Sequence, residues 1–295
     1  MKPAKFDYFD PSSLPEALAL LGQYGDDAKI LAGGQSLMPL MNMRLARPGV
    51  VVDINGIGDL DYISAAPDGG LTIGALTRQR EVERSGLVLE RTPVLAAAMP
   101  FIGHFQIRNR GTVGGSIAHA DPSAEIPAVS LALDAEFVLA SDGRERVMKA
   151  EEFFITHLTT ALEPVEVLTQ IRIPGFTGEW RWGFQEVCRR EGDFALVGAV
   201  AMLQLDGGGV CQAARIIMFG VGGTPLRMRT AEDILLGSSV DARTREEVAE
   251  VISQELDPDS DIHASAQYRK EVGGVMVRRA LESALSAPMQ SETGV

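Results

Sequence analysis

Two short runs carry the residue types best suited to chemistry in this sequence: AGGQS at residues 32–36 and GTVGGS at residues 111–116. The first comprises Ala32, Gly33, Gly34, Gln35 and Ser36, with Leu37 opening the helical pattern that follows; the second holds Thr112, Val113, Gly114, Gly115 and Ser116. A diphosphate must be approached closely by several backbone N–H groups, and glycines allow both the approach and the conformations it needs. A closing serine hydroxyl adds a neutral donor, and a helix beginning after the turn directs its free amides at an anion. Lys29, Arg108 and Arg110 supply positive charge close by in sequence. A Gly-Gly pair is also an ordinary tight turn, so each run taken alone supports either use.

Competing chemistries have weaker support. No GxGxxG opens a βαβ unit, Gly220-Val221-Gly222-Gly223 has the wrong spacing, and no GxxxxGK[ST] occurs, which disfavours a Rossmann dinucleotide site or a P-loop. Neither G-x-S-x-G nor HExxH is present. His119, Asp121 and Glu125 lie close in sequence, but no third nitrogen or sulfur ligand accompanies them, so they read as polar loop residues or contacts to a bound cofactor, and no metal is expected. The charges Arg189, Arg190, Glu191 and Asp193 read as a solvated loop. Trp180, Trp182 and Phe184 alternate as strand side chains do. No catalytic nucleophile is expected, and the residues alone describe an anion-binding α+β protein.

The elements that must position these runs follow from pattern. Ser13 with Glu16 three residues on, and Pro15 in the first turn, predicts a helix ending near Gly22 or Gly25. A strand at 29–31, the first glycine run, a helix at 37–45 and a buried strand at 50–54 complete an opening unit. Strands at 60–64 and 71–75 should pair around Pro67-Asp68-Gly69-Gly70, followed by helices at 78–84 and 93–99. Residues 108–125 read as loop, and 136–140, 144–148 and 165–173 as strands. Pro174 and the glycines at 175 and 178 mark a boundary, after which three strands (181–188, 195–205, 210–221) precede helices at 231–235, 244–256 and 266–285. The expected domains are 1–174, with subdomains 1–55 and 56–174, then 179–286, with 287–295 as a frayed tail.

Composition fits this picture. A chain of 295 residues with 45% hydrophobic and 23% charged residues is that of an ordinary globular protein of about two domains. Its formal net charge of −13 repels a phosphate backbone and anionic lipid alike, so nucleic-acid and membrane-surface partners are not expected. No apolar run is long enough to span a bilayer, and MKPAKFDYFD has no apolar h-region, so a cytoplasmic protein is expected. Cys188 and Cys211 read as two buried thiols, with a single disulfide as the alternative; neither belongs to a CxxC.

Residues 32–54 (AGGQSLMPLMNMRLARPGVVVDI), 71–75 (LTIGA) and 107–128 (IRNRGTVGGSIAHADPSAEIPA) closely resemble the FAD-binding medium subunits of molybdenum hydroxylases, the carbon monoxide dehydrogenase and xanthine dehydrogenase group. Residues 188–203 (CRREGDFALVGAVAML) and 268–281 (YRKEVGGVMVRRAL) look like that family's C-terminal flavoprotein domain. The resemblance implies a two-subdomain FAD-binding domain of the vanillyl-alcohol-oxidase type, followed by a smaller domain of three antiparallel strands and helices. It implies that the chain carries FAD and relays electrons from the [2Fe–2S] clusters of a small subunit to an external acceptor. A large molybdenum–pterin subunit would turn over the substrate, in a dimer of heterotrimers. Matched position by position, Ala32 to Ser36 with Leu37 fall on one FAD diphosphate turn, and Thr112, Val113, Gly114, Gly115 and Ser116 on the other. Glu125 takes the place of an acidic residue, often aspartate, that meets the flavin's polyol, and Leu168 and Gln185 match positions near the isoalloxazine ring. Some relatives carry tyrosine where this chain has Phe194, and the cysteine-rich insertion of the benzoyl-CoA reductase branch is missing. The rival readings are a self-contained flavoprotein oxidase or reductase of the same fold, and a binding module without cofactor.

Overall fold

A computed structural model describes residues 2–286. It begins with β1 (Asp7–Phe9), α1 (Leu14–Tyr24), β2 (Ala28–Leu31), α2 (Leu37–Asn42) and β3 (Val50–Asp53). Helix α1 starts where the sequence predicts: Ser13 Oγ accepts the Glu16 amide at 3.4 Å, and Pro15 sits in the first turn. It ends at Gly25, whose φ of +52° suits glycine best. The reciprocal half of the expected capping box differs, because the Glu16 carboxylate accepts from the amide and hydroxyl of Ser12, not from Ser13. Three parallel strands in the order β1-β3-β2 form the first sheet, with Ala17, Leu18 and Leu21 of α1 buried in its core.

The second unit runs β4 (Ile63–Ala65), β5 (Leu71–Gly74), α3 (Gln79–Arg84), α4 (Gly86–Arg91), α5 (Pro93–Ala98), α6 (Phe105–Arg108), α7 (Val113–His119), α8 (Glu125–Ala132), β6 (Glu136–Ser141), β7 (Arg144–Lys149), α9 (Ala150–Phe153), β8 (Phe154–Thr156), β9 (Thr159–Thr160) and β10 (Val167–Ile173). Its five-stranded antiparallel sheet has the order β4-β5-β10-β6-β7. The stretch at 108–125 is therefore not all loop. Helix α7 forms in spite of two glycines because its first amides are held from outside: Val113 N donates to Thr77 O and Gly114 N to Ala75 O. Helix α8 is buried at every position, so it presents no polar face from which a helical period could be read.

The third unit holds β11 (Trp180–Val187), β12 (Val197–Leu205), β13 (Cys211–Phe219), β14 (Leu226–Arg227), α10 (Arg229–Leu235), α11 (Ala242–Glu255) and α12 (Ala266–Ser286). The antiparallel sheet has four strands rather than three, the fourth being the two-residue β14. Strand β12 is covered on both faces. Val200 and Met202 join the central core under the second sheet, while Val197, Ala199, Ala201 and Leu203 pack with α10–α12. Cys188 and Cys211 are both free thiols, the first half-buried and the second buried. The segment expected to fray, 287–295, lies outside the described residues.

Candidate functional site

The first glycine turn leaves β2 and enters α2. Gly34 has φ +70°, where a side chain is strained. Gly33 is pressed against the second turn: a methyl group on it would lie 2.5 Å from the Arg110 carbonyl oxygen and 2.8 Å from Gly111 Cα. The two sequence-distant turns are thus in contact. Within the first, Gln35 donates through Nε2 to Gly33 O at 2.8 Å. Among the hydrogen bonds of the described residues, the N–H groups of Gly33, Gly34, Gln35, Ser36 and Leu37 find no acceptor. Ser36 Oγ caps nothing.

The second turn differs. The Thr112 hydroxyl accepts the Gly115 amide at 3.0 Å, its carbonyl accepts that of Ser116 at 3.2 Å, and the Val113 and Gly114 amides are held by Thr77 and Ala75. The expectation of free amides is therefore not met here. What remains to offer a ligand is the Ser116 hydroxyl and the partly exposed backbone at Gly115, while the glycines let the turn pack closely. A methyl on Gly114 would lie 2.5 Å from Ala75 Cβ, and one on Gly115 2.6 Å from Thr112 Oγ1.

Of the three nearby cations, Lys29 is exposed on β2, and Arg108 is tied to Glu83 at 2.9 Å and to the carbonyls of Ile102 and Gly103 at 3.0 Å. Arg110 alone lies where the turns meet. Arg78 joins it there, a residue the sequence reading passed over because it stands 32 positions away: its Nη1 donates to Arg110 O at 2.6 Å and its Nη2 to Asn55 Oδ1 at 2.6 Å.

Two carboxyl groups lie at the seam between the second and third units. Glu125, the first residue of α8, is 6% exposed, and none of the side-chain hydrogen bonds between described residues includes it. Burial pushes its pKa up to about 7, its own backbone amide opposes that, and the charge of Asp121 adds to it. Glu186 stands on the face of β11 that carries Phe184, which packs on Phe101 and Phe219 with ring centroids 5.0 and 5.8 Å apart. Burial first, then the charge of Glu125, pushes its pKa up to about 8, and its Oε2 is buried without a partner. Sequence reasoning missed Glu186; strand alternation from Phe184 was the available signal.

The remaining expected contacts separate. Leu168 is buried in the central core, paired across the sheet with Leu139. Gln185 pairs with Ala199, which packs on the helical side, so its side chain points away from the face that Phe184 and Glu186 share. Phe194 is 66% exposed, in the loop whose Gly192 packs on His104. His119 is half-buried, and desolvation lowers its pKa. No group of three or more His, Cys, Asp or Glu among the described residues is arranged to hold a metal ion.

Comparison with known proteins gives consistent matches over both parts of the chain. The model described as the FAD binding domain in molybdopterin dehydrogenase matches residues 4–176, and the CO dehydrogenase flavoprotein C-terminal domain matches residues 182–284. The alpha subunit of the 6-hydroxypseudooxynicotine dehydrogenase complex of Paenarthrobacter nicotinovorans is 43% identical over 97% of this chain and 96% of its own. The carbon monoxide dehydrogenase medium chain of Hydrogenophaga pseudoflava is 38% identical over 96% of this chain and 98% of its own. Among solved structures, carbon monoxide dehydrogenase from Hydrogenophaga pseudoflava superposes with a TM-score of 0.93 at 39% identity, covering 97% of this chain and 99% of that one. Quinoline 2-oxidoreductase from Pseudomonas putida 86 gives 0.92 at 37% identity, covering 96% and 98%.

Proposed function

We propose a role that proceeds from one fact: this chain belongs to the FAD-binding medium subunits of the molybdenum hydroxylases. It is the flavoprotein component of a multi-subunit molybdenum-containing dehydrogenase. In our reading its partners are a large molybdenum–pterin subunit and a small [2Fe–2S] subunit, assembled as a dimer of heterotrimers in the cytoplasm. Electrons pass from the clusters through this chain to an external acceptor. The domains implied are 1–174 and 179–286. No helix among the described residues is long and apolar enough to cross a membrane.

The residues present fit FAD. The observation that carries the assignment is the contact between the two turns, together with the unpartnered amides of Gly33 to Leu37 on the first. Those amides, with Ser36, would hold the diphosphate against the surface made by Gly115 and Ser116. Arg110 supplies positive charge in a chain whose overall field is repulsive to an anion. Glu125 would accept hydrogen bonds from the polyol hydroxyls, and Leu168, buried in the central core, would contribute apolar packing behind the ring's pocket. Gln185 is better placed to support β11 on its helical side than to touch the flavin. Bound there, FAD supplies a two-electron store between one-electron donors and the acceptor. The chain's own residues bind it, fix its orientation and exclude water; none is assigned as nucleophile or general acid.

The test is direct. Chain purified with added FAD should retain flavin absorbance after gel filtration, and Gly34→Val should lose it while the apoprotein keeps its far-UV circular dichroism. Full flavin occupancy in Gly34→Val would remove the turn from the assignment.

A further inference from the structure

We infer that Asn55 and Arg78 form a positioning clamp that holds the two glycine turns at the separation the cofactor's diphosphate spans. This rests on the reading that FAD binds at the turns.

The clamp is a continuous chain of hydrogen bonds. Asn55 donates through Nδ2 to Ala32 O at 2.8 Å, on the first turn. Its Oδ1 accepts Arg78 Nη2 at 2.6 Å, and Arg78 Nη1 reaches Arg110 O, also at 2.6 Å, on the second. That same carbonyl oxygen is the atom against which Gly33 packs. Both members are anchored from behind. Asp53 accepts the Asn55 amide at 2.9 Å and its Nδ2 at 2.5 Å, and is fixed in turn by the Tyr8 hydroxyl at 2.6 Å. The Arg78 backbone bridges Thr112, and Gln79 N donates to Gly111 O at 2.9 Å.

Only an arginine can do this, since its planar fork presents separate N–H groups to two divergent acceptors, whereas a lysine presents a single ammonium. The electrostatics agree with an anionic ligand. Burial, then the nearby Arg110 charge, disfavours the Arg78 cation, with Asp61, Glu81 and Asp53 opposing. An anion at the turns relieves the repulsion between the two guanidinium groups.

The experiment uses the full-length apoprotein titrated with FAD by flavin fluorescence. Arg78→Ala, Asn55→Ala and Arg78→Lys should each raise Kd about tenfold or more, the scale of a lost charge-assisted hydrogen bond. The Asn55→Ala/Arg78→Ala double variant should be no weaker than the weaker single one, because both lie on one chain. At saturating FAD the visible spectrum and midpoint potential should match the parent, since the clamp contacts only the turns assigned to the diphosphate. Any of four results overturns the clamp: Kd within twofold in Arg78→Ala, recovery by lysine, additive losses, or an altered flavin spectrum. Should Arg78→Ala fail to fold, Asn55→Ala and Arg78→Lys decide. A parent chain that binds no FAD overturns the underlying reading as well, whereas normal binding by both parent and variants overturns only the clamp.

Discussion

The turns at residues 32–36 and 111–116 both pair glycines and close on serine, yet their glycines answer to different physical demands. In the first, Gly34 takes a left-handed backbone conformation and the amides from Gly33 to Leu37 are left without protein acceptors. In the second, every amide from Val113 to Ser116 is already bonded, and Gly114 is small so that α7 can seat on the end of β5. In the first turn glycine both leaves amides free and lets Gly33 pack on Arg110, whereas in the second it serves close packing alone. A glycine-rich motif thus specifies proximity, and only the surrounding hydrogen bonds decide what is brought near.

That contrast can be broken by substitution. The largest effects should come from Gly114→Ala and Gly33→Ala, and they should differ in kind. At Gly114 the new methyl meets Ala75 backbone atoms at 2.7 and 2.8 Å, so the fold itself loses about 1–3 kcal/mol, seen as a lower melting temperature of the apoprotein. Gly33→Ala forces the turns apart, so FAD retention should fall far more than apoprotein stability. Equal stability losses in the two variants would erase the distinction.

Thr112→Val comes next. It removes the cap that holds the Gly115 amide and should cost about 1 kcal/mol, or a few degrees in Tm by calorimetry. An unchanged Tm would mean that α7 is held by Thr77 and Ala75 alone.

The carboxyl pair gives a dependence on pH. In the folded chain Glu125 and Glu186 titrate at about 7 and 8, above the ordinary glutamate value, so between roughly pH 4.5 and 8 the folded state holds more protons than the unfolded. Apoprotein stability should therefore fall as pH rises through that window, and Glu186→Gln should flatten the fall. Urea midpoints at pH 5, 6.5 and 8 check the sign; a midpoint that rises with pH contradicts it. Carboxylates whose pKa is lowered, such as Glu83 beside Arg108, lose their contribution only at lower pH.

Ser36→Ala should have the smallest effect. Its hydroxyl caps nothing, so apoprotein Tm should hold, while FAD affinity drops about fivefold for one neutral hydrogen bond. A lower Tm would assign Ser36 to the fold instead.

Much of this was legible in residue order. Ser13, Pro15 and Gly25 delimit α1 by local chemistry, and β12 stands out as a short, nearly continuous apolar run because both of its faces are covered. Both glycine turns were visible. What stayed hidden depends on groups remote in sequence. Helix α7 has poor intrinsic propensity and stands on carbonyls from residues 75 and 77; Arg78 acquires its meaning only through Asn55 and Arg110. Gln185 was placed near the ring by resemblance, whereas the pleat turns it to the helices. Glu186, its neighbour, inherits the inward direction.

Glu125 and Glu186 are contributed by different lobes, one at the head of a helix and the other on an edge strand. The raised affinity of each for a proton exists only while the lobes stay shut against water. Burial at this seam and protonation of the pair are therefore linked, and mild acid favours the packed arrangement over one that admits water.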